Sequence, residues 1–359
     1  MYKTEINHLP VPTWNQLGVN SASAAAALPA VPADDWGDAN IAVTLPAGIG
    51  EAEEGFTSFS ESGMGQAVDT YLLENATIRN TLTVAENTTV AEPAIFEATL
   101  DAAHPNALSV LDVDAKANSQ LTVVQVVRGD AENGVSGSLT RIRAAENAHV
   151  KLVQVQLLGR HARRWNAVAV ESAKNAKVEQ VRIELGGLLN ACGTRAILPE
   201  SHSEYNLDAV YFGQGESVLD FNDVSVHTGK DTLCEMHTAG VLTDHADKIL
   251  RGTIDFRRGA KRGVGHESED VLLFSPNARN HTTPLILCGE EEVEGQHAAS
   301  IGRLDEAKLY YLRSRGLSES QARRLMVDAR FAPAIEKIPL EALREEVRNE
   351  AARRLDHAE

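Results

Sequence analysis

The sequence predicts a mainly β protein: a right-handed parallel β-helix core (76–302), a small mixed N-terminal segment (1–75) and a C-terminal α-helical domain (303–359). Three observations carry that prediction. Short β-branched stretches with period-2 patterning fill the middle, as in Leu121-Thr-Val-Val-Gln-Val-Val127, Val150-Lys-Leu-Val-Gln-Val-Gln-Leu-Leu158 and Val178-Glu-Gln-Val-Arg-Ile-Glu-Leu185. A small polar corner precedes each, and the corner asparagines Asn118, Asn147 and Asn175 stand 29 and then 28 residues apart. After Arg303 the apolar period changes to that of a helix.

Each element follows from its own residues. In the first segment, Ser21 to Ala33 is rich in Ala, Ser and Pro and reads as a flexible link, while Met64 to Leu73 has apolar residues at helical spacing. In the middle, a strand-corner unit of this length cannot bury its apolar side alone, so neighbouring copies must stack. Asparagine tolerates the left-handed backbone of a tight corner. Corners at Gly213 to Glu216 and His245 to Lys248 continue the style at looser spacing. No helical stretch intervenes to serve as a crossover, which disfavours βαβ architecture. Turns recur at a coil period rather than at hairpin spacing, which favours a β-helix over a β-sandwich. The single Asn-Gly pair, Asn133-Gly134, predicts a local hairpin.

In the last segment, Asp305 and Glu306 suit a first helical turn, where acids complement the helix dipole. Leu304, Leu309 and Leu312 could share a face, and Gly316 provides a stop. Ser318-Glu-Ser-Gln321 is a capping box, followed by an apolar stripe at Ala322, Leu325, Met326 and Ala329. A last helix begins near Pro339 and carries Leu340, Leu343, Val347 and Leu355.

Composition narrows function. The net charge of −17 repels phosphate backbones and anionic membrane surfaces, so no nucleic acid and no membrane partner is expected. No apolar stretch is long enough to span a bilayer, and Met1 to His8 has no signal-type apolar region. Three widely spaced cysteines, Cys192, Cys234 and Cys288, suit free thiols in a reducing compartment, and the expected location is cytoplasmic. A carbohydrate-active β-helix would need carboxylate pairs and aromatic platforms, yet aromatics are 5% of the chain. No Gly-x-Ser-x-Gly, P-loop or Rossmann fingerprint is present, so ordinary enzymology finds little support.

Candidate site residues gather where the β text ends. Cys288, the acidic run Glu290 to Glu292, and His297 lie within one segment, with His281 just upstream. The acidic run by itself reads as a solvated loop. Cys234-Glu-Met-His237 pairs a thiol with an imidazole near His227, but closed metal sites need four ligands at regular spacing, so a core cysteine beside a strand-end histidine is the plainer reading. Cys192 reads as a small core residue.

Pro284-Leu-Ile-Leu287, Val293-Glu-Gly-Gln-His-Ala-Ala-Ser-Ile-Gly-Arg-Leu-Asp305 and Leu309-Tyr-Tyr-Leu-Arg-Ser-Arg-Gly-Leu-Ser318 together resemble the C-terminal signature of the SufB/SufD family, scaffold subunits of iron–sulfur cluster assembly. Arg251-Gly-Thr-Ile-Asp-Phe-Arg-Arg-Gly-Ala260 and His266-Glu-Ser-Glu-Asp-Val-Leu-Leu273 are similar to it as well, and Leu9-Pro-Val-Pro-Thr-Trp14 resembles its N-terminal entry less specifically. The resemblance implies a non-enzymatic subunit that helps a SufB-like partner form a transient iron–sulfur cluster, with no cluster held tightly by this chain alone. It also implies that the C-terminal helices dock a SufC-like ABC ATPase, which makes Leu309, Leu312, Leu325 and Met326 docking candidates. His297 matches the interface histidine of SufD-type subunits, with Ala298 in place of a glycine, and is the metal-ligand candidate. His281-Thr282 matches a SufB pair, but Ala278 fills the slot of the SufB scaffold cysteine, which points to SufD. Cys288 is a secondary candidate. A self-sufficient homodimer pairing at β-helix edges is the alternative scaffold.

Overall fold

The computed structural model describes residues 5–13, 15–23, 40–303 and 306–357. Most of the link read at Ser21 to Ala33, together with Trp14, Leu304, Asp305 and the side chain of Glu306, lies outside them. A strand pair, β1 (Glu5–Ile6) and β2 (Ala22–Ser23), opens the chain, followed by β3 (Asn40–Thr44), β4 (Ile49–Glu51) and α1 (Gln66–Asn75). The body is built of β5 (Ile78–Val84), β6 (Ala94–Leu100), β7 (Asn106–Ala115), β8 (Gln120–Gly129), β9 (Val135–Ala144), β10 (His149–Leu158), β11 (Arg163–Ser172) and β12 (Lys177–Leu185). It continues through β13 (Leu189–Leu198), β14 (Glu204–Gly213), β15 (Val218–His227), β16 (Leu233–Leu242), β17 (Asp247–Phe256), β18 (Gly263–Leu273), β19 (Arg279–Cys288) and β20 (Val293–Arg303). Three helices follow: α2 (Glu306–Ser314), α3 (Glu319–Ile335) and α4 (Glu341–Asp356).

Even- and odd-numbered body strands form separate sheets, eight strands each, extended to nine by β3 and β4: β20-β18-β16-β14-β12-β10-β8-β6-β3 and β19-β17-β15-β13-β11-β9-β7-β5-β4. Pairing from β5 to β20 is parallel, while β3 and β4 close the N-terminal end antiparallel to β6 and β5. The parallel β-helix expected from the corner spacing is therefore the fold, a two-sheet solenoid. In-register partners are 27 residues apart at Lys177 and Glu204 and 31 apart at Leu233 and Val264.

The corner asparagines do what the spacing suggested. Asn87, Asn118, Asn147 and Asn175 all have φ between 55° and 59°, and the row continues through His202, Asp231 and Arg262 at 56° to 61°. Each amide donates to the previous one, Asn118 to Asn87, Asn147 to Asn118 and Asn175 to Asn147, at 2.9 Å each. Asn133 is also a left-handed corner, with φ 58°. The hairpin expected at Asn133-Gly134 is absent: β8 pairs with β6 and β10, and β9 with β7 and β11. The turn chemistry was right, but the chain uses it to step between sheets.

Parity explains the packing. On β10, Val150 and Leu152 point into the lumen, whereas Val153 and Val155 point outward under the C-terminal helices. Helices α3 and α4 bury Met326, Val327, Phe331, Ile335, Leu343, Val347 and Leu355 against that outer face, each large side chain stabilising by about 1.5–3 kcal/mol. The capping box is present: Gln321 N donates to Ser318 Oγ at 3.1 Å and Ser318 N to Gln321 Oε1 at 2.8 Å. Gly316, with φ 95°, follows α2 as expected of a stop. The predicted stripe on α3 divides, with Ala322 and Met326 buried and Leu325 and Ala329 exposed. On the other sheet, Met64, Val68 and Leu72 of the α1 region pack on Leu108, Leu139 and Trp165.

Candidate interface site at the open end of the solenoid

The two sheets end on the antiparallel strands β3 and β4 on the N-terminal side and on the parallel strands β20 and β19 on the other. Among the described residues nothing pairs with the outer edges of β19 and β20, and β20 is exposed along most of its length. Solenoids ordinarily cover such ends, because a bare parallel edge presents unpaired backbone donors and acceptors.

Register assigns the candidates to faces. A Cβ added at Gly295 would press on Ile286 and Phe256, so Gly295 faces the lumen, and His297 shares its face. Cys288 aligns with the core residue Phe256, which puts it on the lumen side of β19. Both are exposed, because no further coil covers them. His281 has the opposite parity. It lines a cavity of about 380 Å³ on the outer face with Ile6, Leu17, Asp220 and Arg251, beneath the N-terminal strand pair. Cys288 and His297 thus share the lumen side of the last coil, on strands of opposite sheets, while His281 lies on the outer face. Ala278 packs against the interior core.

The acidic run behaves as a corner. Glu290 accepts from Gly259 N at 3.1 Å, and those backbone donors hold its carboxyl below the ordinary range. Cys234 and His237 face opposite ways, as an i, i+3 pair on a strand must. The Cys234 thiol is buried, which pushes it up to about 12, while His237 is on the outer surface with Nδ1 2.7 Å from Ser268 Oγ. His227 is enclosed between Ser225 and Thr232, and burial pulls it down to about 4. Cys192 is buried and its thiol is pushed far up, by burial first and then by Glu184, whose carboxylate lies 3.4 Å away.

Sequence reasoning missed the polar lumen beneath the mouth. Gln125, Gln154, Gln180 and Tyr205 hydrogen-bond from coil to coil at 2.7–2.9 Å. Further along, Arg182 grips Asp223 bidentately at 2.7 Å. Next to the mouth, Lys248 donates to Glu269, which also accepts from Tyr211 at 3.0 Å and from Thr282 of the last coil at 2.5 Å. Burial lowers the Lys248 ammonium. Glu267 is 7% exposed, and its Oε2 has no hydrogen-bond partner. Burial, then repulsion from Asp223 and Glu269, pushes its carboxyl up to about 8. Gly252 on the facing strand makes room for it, since a Cβ there would collide with the carboxylate. One signal could have exposed this chamber: period-2 reading of Gly263-Val-Gly-His-Glu-Ser-Glu-Asp-Val271 puts both glycines, Glu267 and Glu269 on one face.

The helical candidates also divide. Leu309 and Met326 are buried and Leu312 packs on the helix–sheet core, so these three are occupied within the chain. Leu325 is 49% exposed, and Tyr310 and Tyr311, which the stripe did not include, are 76% and 55% exposed.

A family profile described as the SufBD core domain of the SUF iron–sulfur cluster assembly system matches residues 99–330. The chain is similar to an iron–sulfur cluster assembly protein SufD of Bacillus subtilis, 33% identical over 138 residues, covering 38% of this chain and 32% of that protein. It is also similar to SufBD family iron–sulfur cluster assembly proteins of Pyrococcus horikoshii, 30% identical over 204 residues (56% of this chain, 45% of the relative), and of Synechocystis, 23% identical over 211 residues (58% and 46%). The matches span between about a third and a half of these relatives. No helix among the described residues is long and apolar enough to cross a membrane.

Proposed function

Since the chain belongs to the SufBD core family of iron–sulfur cluster assembly proteins, we propose that it acts as a SufD-like, non-catalytic subunit whose open solenoid end pairs with a SufB-like scaffold. The uncapped pair of edge strands is the observation that carries this reading. Edge-to-edge pairing satisfies the free backbone groups of β19 and β20 and roofs the lumen mouth with partner surface. His297 then lies inside the interface. Its imidazole supplies one ligand to a cluster that is cargo, and the thiolates such clusters prefer come mainly from the partner. Cys288 is a second donor on the same side.

The helices α2 to α4 form the other working surface. Tyr310, Tyr311 and Leu325 offer exposed apolar contact for a SufC-like ATPase, while the buried residues of α3 and α4 fix the platform to the solenoid. Movement of a docked ATPase would open or close a cluster site held between two subunits. Free cysteines fit a reducing, cytoplasmic setting.

Cys288 reports on the first part directly, because it is the exposed cysteine while Cys192 and Cys234 are buried. Maleimide should label the isolated chain at Cys288, and addition of a SufB-like partner should protect it. Labelling that proceeds equally fast in the complex removes the edge interface. Protection in the isolated chain, with a doubled mass, favours the homodimer.

A further inference from the structure

We propose that the N-terminal end of the lumen holds a binding pocket for a small aliphatic monocarboxylate, with Arg164 as its anion anchor. The pocket lies among β3, β5 to β9 and β11, at the other end of the strand order from the β19 and β20 edges, and takes a ligand of its own whatever pairs with those edges.

Charge pairing singles out Arg164. Among the described residues, the buried cations Arg141, Arg182, Arg251 and Arg354 each hold a carboxylate at 2.6–2.7 Å, and Lys248 holds Glu269. Arg164 is 5% exposed and is the exception, with no carboxylate within ion-pair distance. Its Nη1 donates to Ser136 Oγ at 2.8 Å, and its Nε has no partner. Glu184 acts on it from the next coil, where that carboxyl is also drawn by Arg182 and approached by the Cys192 thiol at 3.4 Å. A guanidinium keeps its charge when buried, and a buried charge without a direct counter-ion is costly, so the position favours an anion.

Register explains the room beside it. Ala107, Ser136 and Arg164 form one lumen-facing row across β7, β9 and β11, and two small residues ahead of a long one leave a gap. The pairing of β5 with β7 begins at Ile78 and Ser109, so β5 does not extend that row beyond Ala107. The gap is a cavity of about 40 Å³ that Arg164 and Ser136 line. At about 10–15 Å³ for each water-sized group it takes about three or four heavy atoms, the size of acetate, and excludes sugars and nucleotides. Polarity is graded along it. Arg164 and Ser136 are the buried floor, and Ser136 Oγ, which accepts from Arg164, keeps its own proton to donate. Half-buried Ile41, Ile78 and Ala98 make an apolar rim, and among the described residues no acid lines the cavity. A carboxylate on the floor with its alkyl end toward the rim matches both parts. A bare halide leaves the rim uncovered, and a dicarboxylate finds no second cation there.

The test uses the full chain in chloride-free buffer with acetate as the probe, followed by saturation-transfer NMR of the acetate methyl group and by thermal melting. Wild type should saturate, and should melt higher as acetate is added at constant ionic strength. Arg164→Met keeps a long side chain without the charge, and Ala107→Val fills the gap while leaving Arg164 in place. Each should weaken acetate binding about tenfold or more, and succinate should bind wild type about tenfold more weakly than acetate. No saturation by wild type overturns the proposal, as does unchanged acetate binding by Arg164→Met. Chloride that binds more tightly than acetate overturns the carboxylate assignment. Melting of both variants within a few degrees of wild type in acetate-free buffer shows that lost binding is not lost folding. Should Arg164→Met fail to fold, Ala107→Val decides, and unchanged acetate binding by it overturns the pocket.

Discussion

Replacing Glu267 with Gln should stabilise the protein, and the gain should grow with pH. The carboxyl starts near 4.5 in the unfolded chain and is pushed up to about 8 in the folded one, mainly by burial. The folded state therefore binds the proton more tightly, so stability is fully present below pH ~4.5 and is lost as pH rises through ~8. At about 1.36 kcal/mol per unit, ionisation costs roughly 3 kcal/mol at pH 7, about 1 kcal/mol at pH 5, and approaches about 5 kcal/mol above pH 8. Gln keeps the shape of the neutral acid and loses this dependence. With an unfolding entropy of about 2.1 cal/mol/K per residue, a chain of 359 residues shifts by about 4 °C for 3 kcal/mol. Scanning calorimetry of both proteins between pH 5 and 8.5 should show the variant ahead by about 1 °C at the acid end and by several degrees at the basic end. A difference that stays flat across that range refutes the description of Glu267 as a buried acid that holds its proton more tightly in the folded chain.

Other residues make sharper local statements. Asn147→Val puts a β-branched residue at φ 59° and breaks two rungs of the corner ladder, and should cost about 2 kcal/mol by thermal melting, whereas Asn147→Gly should cost clearly less. Arg251→Ala strands the buried Asp220 carboxylate, to which Arg251 now donates at 2.7 Å, and should cost about 3–5 kcal/mol in the same assay. Tyr311→Asp combined with Leu325→Asp should leave the melting temperature unchanged while abolishing co-purification with a SufC-like ATPase; retained co-purification moves docking elsewhere.

The repeat was legible because a solenoid writes its geometry in corners. Asn118, Asn147 and Asn175 need a left-handed backbone at every coil, and few residues supply it cheaply. The capping box of α3 was legible for a similar reason, since its hydrogen bonds are local. What stayed hidden depended on which side of a strand faces what. Val153 and Val155 are as apolar as Val150 and Leu152, because helices cover the outer face of β10, so the sequence carries no contrast between lumen and exterior there. Parity puts His281 on the outer face of β19 and His297 on the lumen side of β20, and it can be read only once Ile286 and Val293 are known to pack inward. The helix stripe splits at Leu325, which is exposed while Ala322 and Met326 are buried, because period 3.6 marks a face without saying which neighbour it meets. Lys248 was read as part of a polar corner, yet it is fully buried, because its charge is satisfied by Glu269 across the lumen rather than by anything near it in sequence.

The central claim is that the open end completes a cluster site shared with a partner, with His297 as this chain's contribution. Its most direct test is anaerobic reconstitution of the chain with a SufB-like partner and a SufC-like ATPase, using ferrous iron, a sulfur source and ATP. Cluster absorbance should appear with wild type and be lost with His297→Ala, while both chains enter the complex equally by size-exclusion chromatography. Equal cluster formation by wild type and His297→Ala would contradict the account.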